Sequence, residues 1–221
     1  MSIQERHELT STCVIIPMKN PSDSKQRMRP LLDDGQRAAL ALKLYRNTLQ
    51  FFKQEFPQLT VVVVTPSAHI AQVARMAGHQ VLQEFKASGL NRALERATQW
   101  SIKHNFHRQL IIPADIAELD KQEISSILKK FPYANGVVIG RAKDGGTNAL
   151  LCSPADAITF CYGRNSAHLH AQSAQLSSVP YEVMDLKKLS ADVDYPKDLT
   201  STLFNELNYA VADMNEVFRY A

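Results

Sequence analysis

Residues 59–65 read LTVVVVT. Side chains of an extended chain alternate sides, so four consecutive valines make both faces of this segment apolar. A strand greasy on both faces belongs in a parallel sheet covered by helices, not in an antiparallel sheet wetted on one side. The flanking segments agree. Upstream, Leu40, Leu44, Tyr45, Leu49 and Phe52 recur at helical spacing, with Asp33 or Asp34 placed to cap the helix. Downstream, 66–77 reads as a helix ended by Gly78, and 79–82 as a weak strand. Further out, TCVIIP (12–17) is a short buried strand. Ser88 stands where it can cap a helix through Leu90, Leu94, Ala97 and Trp100. FHRQLIIP (106–113) is the next strand, with Asp115 just beyond its carboxyl end. Asp120 opens a helix to about residue 130, with Glu123 at capping-box spacing.

This alternation predicts an α/β fold: a mostly parallel central sheet with helices on both faces. Residues 136–139 and 149–152 are further strands, separated by the polar loop RAKDGGTN. A helix over 168–174, a brief strand over 182–184 and a helix over 199–207 follow. The region between about 135 and 190 is therefore a small β-rich insertion. No linker rich in Ser, Gly or Pro divides the chain and no repeat is visible, so 1–221 is expected to be one domain.

Composition excludes several classes. The chain has 221 residues, 45% hydrophobic and 21% charged, enough for a sizeable core and unlike a disordered chain. It has no apolar run of about 18 residues that would span a membrane. Cys13, Cys152 and Cys161 show no C-x-x-C spacing, which argues against a disulfide framework or a zinc knuckle. The first residues, MSIQERHELTST, lack the apolar core of a secretion signal, so a cytoplasmic location is expected. The formal charge is +3, and the loop 17–30 alone carries it: Lys19, Lys25, Arg27 and Arg29 against Asp23. A nucleic-acid binder spreads its cations over a face and interleaves aromatics. An excess in one loop fits a small anionic ligand instead.

Ligands of open parallel sheets bind beyond the carboxyl ends of the strands. The loop after the first strand, PMKNPSDSKQRMRP, is neither a dinucleotide fingerprint nor a Walker A loop. Its cations, Lys19 and Arg27 foremost, can neutralise a polyphosphate and a leaving pyrophosphate. Asp115 can hold Mg²⁺ against phosphates, or serve as a turn acid. Asp192 and Asp194 are two apart in an extended segment, so both can face one metal ion; the plainer reading is a helix start at Pro196 and Asp198. Gly145, Gly146, Thr147 and Asn148 read as a tight turn. Gly163 and Ser166 precede a helix whose free N–H groups can receive an anion. His168 and His170 lack the spacing of a metal pair on a helix, and the cysteines read as small core residues.

Taken together, these residues resemble the phospholactate-type guanylyltransferases of coenzyme F420 biosynthesis, within the glycosyltransferase-A-like nucleotidyltransferases. The resemblance rests on IPMKNPSDSKQRM, GLNRALERA (89–97), IIPADIAEL (111–119), DGGTNALLCSP (144–154), FCYGRNSAHLHAQSA (160–174) and DVDYPKDL (192–199). It implies that Lys19, Lys25 and Arg27 contact the triphosphate of GTP, and that Gly89 and Asn91 lie by the nucleoside. It implies that Asp115, Asp192 and Asp194 hold Mg²⁺, with Asp194 the more direct of the last two. Thr147, Gly163 and Ser166 would bind the acceptor: 2-phospho-L-lactate, phosphoenolpyruvate or 3-phospho-D-glycerate. His170 matches a histidine usual in that segment. The chain departs from the family pattern at Gln26, Ala167 and Tyr195.

The implied reaction transfers GMP to the acid's phosphate, which is already ionised, so no protein nucleophile is needed. Two alternatives stand beside it: a relative using another nucleoside triphosphate or a sugar-phosphate-like acceptor, and a non-catalytic nucleotide-binding protein. Neither a nucleic-acid nor a membrane partner is expected. Tyr45, Phe51, Phe52 and Phe56, or the tail through Phe218 and Tyr220, could serve a homodimer or the core.

Overall fold

The computed structural model describes residues 11–131 and 134–200. The valine segment lies inside the sheet as β2 (Thr60–Thr65), between β1 (Thr12–Pro17) and β3 (Gln80–Gln83), parallel to both. β4 (Arg108–Ile111) pairs parallel with the other side of β1. Beyond it come β6 (Thr147–Ser153), antiparallel to both neighbours, then β5 (Gly136–Arg141) and β7 (Tyr181–Met184), parallel to each other. The order is β3-β2-β1-β4-β6-β5-β7. The insertion thus extends the same sheet. Its one reversed strand enters between β4 and β5 because a hairpin turn returns β6 along β5.

Helices cover both faces, as the double-sided valine pattern requires. On one face Val61 and Val63 pack with Val14, Ile16 and Leu110 against α1 (Asp34–Glu55), α2 (Ala68–Met76) and α4 (Lys121–Leu128). On the other, Val62 and Val64 join Cys13, Ile15 and Ile111 beneath α3 (Leu90–Lys103) and α5 (Ser166–Leu176). Tyr45, Phe52 and Phe56 are buried in the first cluster and Phe51 packs against it, so the core explanation holds for these aromatics. The expected helix over 199–207 and the tail lie outside the described residues, except that Leu199 and Thr200 are not helical.

Capping shows where local signals hold and fail. Asp33 closes a full capping box, accepting from Gln36 N at 2.8 Å while Gln36 Oε1 accepts from Asp33 N at 3.0 Å. Ser88 does not cap α3: Gly89 holds that position at φ +90°, and the Ser88 hydroxyl donates to Glu84 Oε1 at 2.9 Å. Only glycine adopts that backbone without strain. Asp120 caps α4 as expected, but Glu123 does not close the box. Its carboxylate accepts from the backbone N–H groups of Lys188 and Leu189, at 3.0 and 2.9 Å, and anchors a segment 65 residues away. The β5–β6 turn ends at Gly146, so Thr147 and Asn148 are buried strand residues, not turn residues.

Candidate active site

The carboxyl ends of β1, β2 and β4 open into a cleft of about 640 Å³. The loop after β1, the β3–α3 connection, Asp115 and Asp194 line it, and Tyr162 closes one side. The loop is not left to solvent. Arg37 of α1, 1% exposed, donates from Nη1 to Ser24 O at 2.9 Å and also contacts Asp34. Lys25 is pinned in the left-handed region at φ 53°, and its carbonyl accepts from Met28 N at 2.9 Å. A non-glycine residue there is costly unless its surroundings determine it.

The reason lies at the other end of that side chain. Lys25 Nζ donates to Asp115 Oδ2 at 2.8 Å and to Asp194 Oδ1 at 3.0 Å, while Arg27 Nη1 donates to Asp194 Oδ2 at 3.1 Å. Lys25 is 3% exposed and the two carboxylates 35% and 29%. Burial alone would lower the Lys25 pKa; the two carboxylates outweigh it and hold the ammonium above its ordinary range. Backbone pairing brings the acids together: Ile116 bridges Asp192, and Val193 N donates to Asp115 O at 3.3 Å. Asp198 accepts from the backbone N–H groups of Asp194 and Tyr195, at 3.2 and 2.7 Å, within a single short turn. Tyr195 lies under the guanidinium of Arg27, 5.1 Å from its ring centre.

Asp192 differs. Burial, then the charges of Asp194, Asp115 and Asp144, push its carboxyl up to about 6. Among the described residues no three His, Cys, Asp or Glu side chains gather as a metal-ligating group, and Lys25 stands between Asp115 and Asp194. The donors nonetheless fit Mg²⁺, which uses one or two carboxylates plus substrate phosphate oxygens. Two carboxylates close enough to share one ammonium, and a third acid lifted partly by their charge, form a place where a divalent cation relieves repulsion.

A second cluster is neutral. Thr147 Oγ1 lies 3.0 Å from Ser166 Oγ and 3.0 Å from His170 Nδ1. Cys161 N donates to His170 Nε2 at 3.0 Å, which fixes the tautomer: Nε2 is bare, so Nδ1 carries the proton and donates to Thr147. Burial lowers the His170 pKa to about 4 and keeps the ring neutral. One hydroxyl proton then joins Thr147 to Ser166, and one remains for an acceptor outside the trio. Beside them Gly163 has φ +142°, and Ala167 N donates to Gly145 O at 3.2 Å, holding the two glycine-bearing segments together. Lys143 N donates to Ser190 O at 3.0 Å, which ties the β5–β6 turn to the segment that leads to Asp192.

Of the residues read from sequence, Lys19, Lys25, Arg27, Gly89, Asp115 and Asp194 line the cleft. Asp192, Thr147, Gly163 and Ser166 are not among the lining residues; Thr147 and Ser166 belong to the neutral cluster with Gly163 at its edge. Asn91 is not among the lining residues: its amide clamps the backbone of Tyr162, accepting from N at 2.9 Å and donating to O at 3.3 Å. Arg37, Glu84, Tyr162 and the architectural part of His170 were not legible. Only position offers a signal for the first two, one turn into α1 and directly after β3.

This sheet, with a cation-bearing loop after β1 and Asp115 after β4, is a fold shared with solved nucleotidyltransferases. A cytidylyltransferase from Leptospira borgpetersenii shares the fold, with a TM-score of 0.58 at 12% identity, covering 94% of this chain and 96% of that one. The chain belongs to the family described as "Guanylyl transferase CofC like", whose model matches residues 12–209. It is 43% identical over 203 residues to the 3-phospho-D-glycerate guanylyltransferase of Colwellia psychrerythraea, covering 89% of this chain and 96% of the relative. It is 30% identical over 188 residues to the 2-phospho-L-lactate guanylyltransferase of Methanothermobacter thermautotrophicus, covering 85% and 82%. No helix among the described residues is long and apolar enough to cross a membrane.

Proposed function

We propose that residues 1–221 act as a single cytoplasmic guanylyltransferase domain in coenzyme F420 biosynthesis. It moves GMP from GTP onto the phosphate of a small phospho-carboxylic acid, with 3-phospho-D-glycerate the first candidate and phosphoenolpyruvate and 2-phospho-L-lactate the others. The order follows the 43% identity to a relative named for the first acid. The observation that carries the reaction class is Lys25, buried in the cleft and shared by Asp115 and Asp194.

One phosphate oxygen of the acid attacks the α-phosphorus of GTP. The bond from that phosphorus to its bridging oxygen breaks, and pyrophosphate leaves with the electron pair. Lys19, Lys25 and Arg27 place positive charge where the leaving group becomes more negative. Asp115 and Asp194 would hold Mg²⁺ together with phosphate oxygens of the substrate, and Asp192 would add charge nearby. A bound Mg²⁺ supplies charge neutralisation and alignment of the phosphates. Thr147 and Ser166 offer their one surplus hydroxyl proton to an anionic oxygen of the acid, and the open backbone at Gly163 allows close approach.

The test supplies GTP, Mg²⁺ and each of the three acids, and follows pyrophosphate together with the guanylylated product. Turnover with at least one acid is expected. Folded protein that turns over none of them overturns the reading.

A further inference from the structure

The cleft has two walls of opposite character. The cations and acids form one. The β3–α3 connection forms the other: Glu84, Ala87, Ser88, Gly89 and Leu90 line it, and of these Glu84 is the charged one. Glu84 is deeply set, with its side chain 5% exposed. Its backbone N–H donates to Thr65 O at 2.9 Å, which ties it to the end of β2. One carboxylate oxygen, Oε1, accepts from Ser88 Oγ at 2.9 Å and from Arg96 Nη1 at 3.1 Å. The other, Oε2, receives no hydrogen bond among the described residues. Oε2 therefore keeps its lone pairs for a ligand that brings donors.

A nucleoside triphosphate gripped by Lys19, Lys25 and Arg27 directs its base toward the opposite wall. A carboxylate there can only accept. Guanine presents two adjacent donors, N1–H and the N2 amino group. Adenine and cytosine present one amino group beside a bare ring nitrogen, whose lone pair repels a carboxylate. Uracil presents one N–H between two carbonyls. We propose that Glu84 is the residue that selects guanine, accepting from its N1–H and N2 amino group. Arg96 and Ser88 act on Oε1 to hold the carboxylate in place. This assignment rests on the reading of the cleft as a GTP site.

The experiment compares GTP with inosine triphosphate, which lacks only the N2 amino group, as substrates of the native protein, Glu84→Gln and Arg96→Gln. Pyrophosphate release is measured with Mg²⁺ and the preferred acid. The native protein is expected to favour GTP by about 10- to 100-fold in kcat/KM, the scale of one hydrogen bond to a charged group. Glu84→Gln should lose most of that preference through the nucleotide KM, with the acid KM unchanged. Arg96→Gln should keep more of it than Glu84→Gln, because the carboxylate is still present and only its half-exposed brace at Oε1 is gone. Native protein that uses both nucleotides equally overturns the proposal without any variant. A folded Glu84→Gln that keeps the native ratio overturns it too, as does an Arg96→Gln that loses the ratio equally, which would make Glu84 a brace for the loop. Native protein inactive with GTP overturns the functional reading and this assignment together.

Discussion

The cluster of Lys25, Asp115 and Asp194 and the cluster of Thr147, Ser166 and His170 are built on different physics. The first is charged, and about a third of each carboxylate meets solvent. Its members neutralise one another, so an incoming polyphosphate competes with the acids for the same ammonium. The second is neutral and buried, with Thr147, Ser166 and His170 all at or below 5% exposure. Its hydrogen-bond direction is set by a backbone N–H that cannot be turned round. A charged, partly open cluster can exchange partners as ligands arrive. A buried neutral one holds a fixed donor in place. A site that must grip GTP and yet orient a small acid has use for both.

The sharpest way to break this contrast is to remove the shared cation. Lys25→Met keeps the apolar stem and leaves Asp115 facing Asp194 with only the Arg27 contact to Asp194 remaining. Its kcat/KM for GTP should fall by about 10²- to 10³-fold, the scale for losing one preorganised charge-stabilising group. Pyrophosphate release measures it. Near-native turnover would move the phosphate grip to Lys19 and Arg27.

The neutral cluster should respond to pH instead. Between about pH 4 and 6.5 the unfolded chain binds a proton at residue 170 that the folded chain refuses. His170 therefore leaves stability unaffected above 6.5 and reduces it as pH falls from there toward 4, by on the order of 3 kcal/mol. Urea unfolding at pH 7 and pH 4.5 of the native protein and His170→Asn isolates this group. Asparagine does not titrate but can still donate near the Nδ1 position, so the variant's pH slope should be shallower. Equal slopes would show that the ring is not held neutral.

A smaller loss follows from cutting the trio at its centre. Thr147→Val leaves the buried His170 Nδ1–H and Ser166 Oγ without their shared partner. About 1–3 kcal/mol of stability should go, with a rise in the acid KM and little change in the GTP KM. Thr147→Ser should restore both. An unchanged acid KM in Thr147→Val would detach the trio from acceptor binding.

The legible parts of this molecule are those decided by nearby residues. The valine run of β2, the periodicity of α1, and the cations after β1 all lie within one turn or one strand of their own explanation. What was not legible depends on partners far along the chain. Glu123 carries the right spacing for a capping box, yet the backbone at Lys188 offers two unsatisfied donors and wins it. Ser88 has the chemistry of a cap, but the chain needs a positive φ there, so the glycine takes the position. The reversal of β6 between β4 and β5 follows from which edge a hairpin closes upon, which no local pattern states. The link from Thr147 to His170 spans 23 residues and appears only once β6 and α5 are packed. Lys25 was legible as a cation but not as the bridge between two acids, one 90 and one 169 residues away.

Asn91 gives the finest division between a residue that touches ligand and one that holds what does. The family resemblance places it beside the nucleoside, whereas both of its amide groups are engaged with the backbone of Tyr162, the residue that closes one side of the cleft. Asn91→Ala removes two hydrogen bonds at a half-buried site, one of them long, so stability should fall by about 1 kcal/mol. If the clamp is its whole role, Tyr162 loosens equally for every nucleotide. The KM values for GTP and inosine triphosphate then rise together, by no more than a few-fold, and their ratio stays native. If Asn91 reaches the base, the ratio shifts, because the two nucleotides differ only at the N2 position. Steady-state kinetics with the two triphosphates separates these outcomes. Together with the unfolding midpoint, they assign Asn91 either to the scaffold behind the cleft or to its surface.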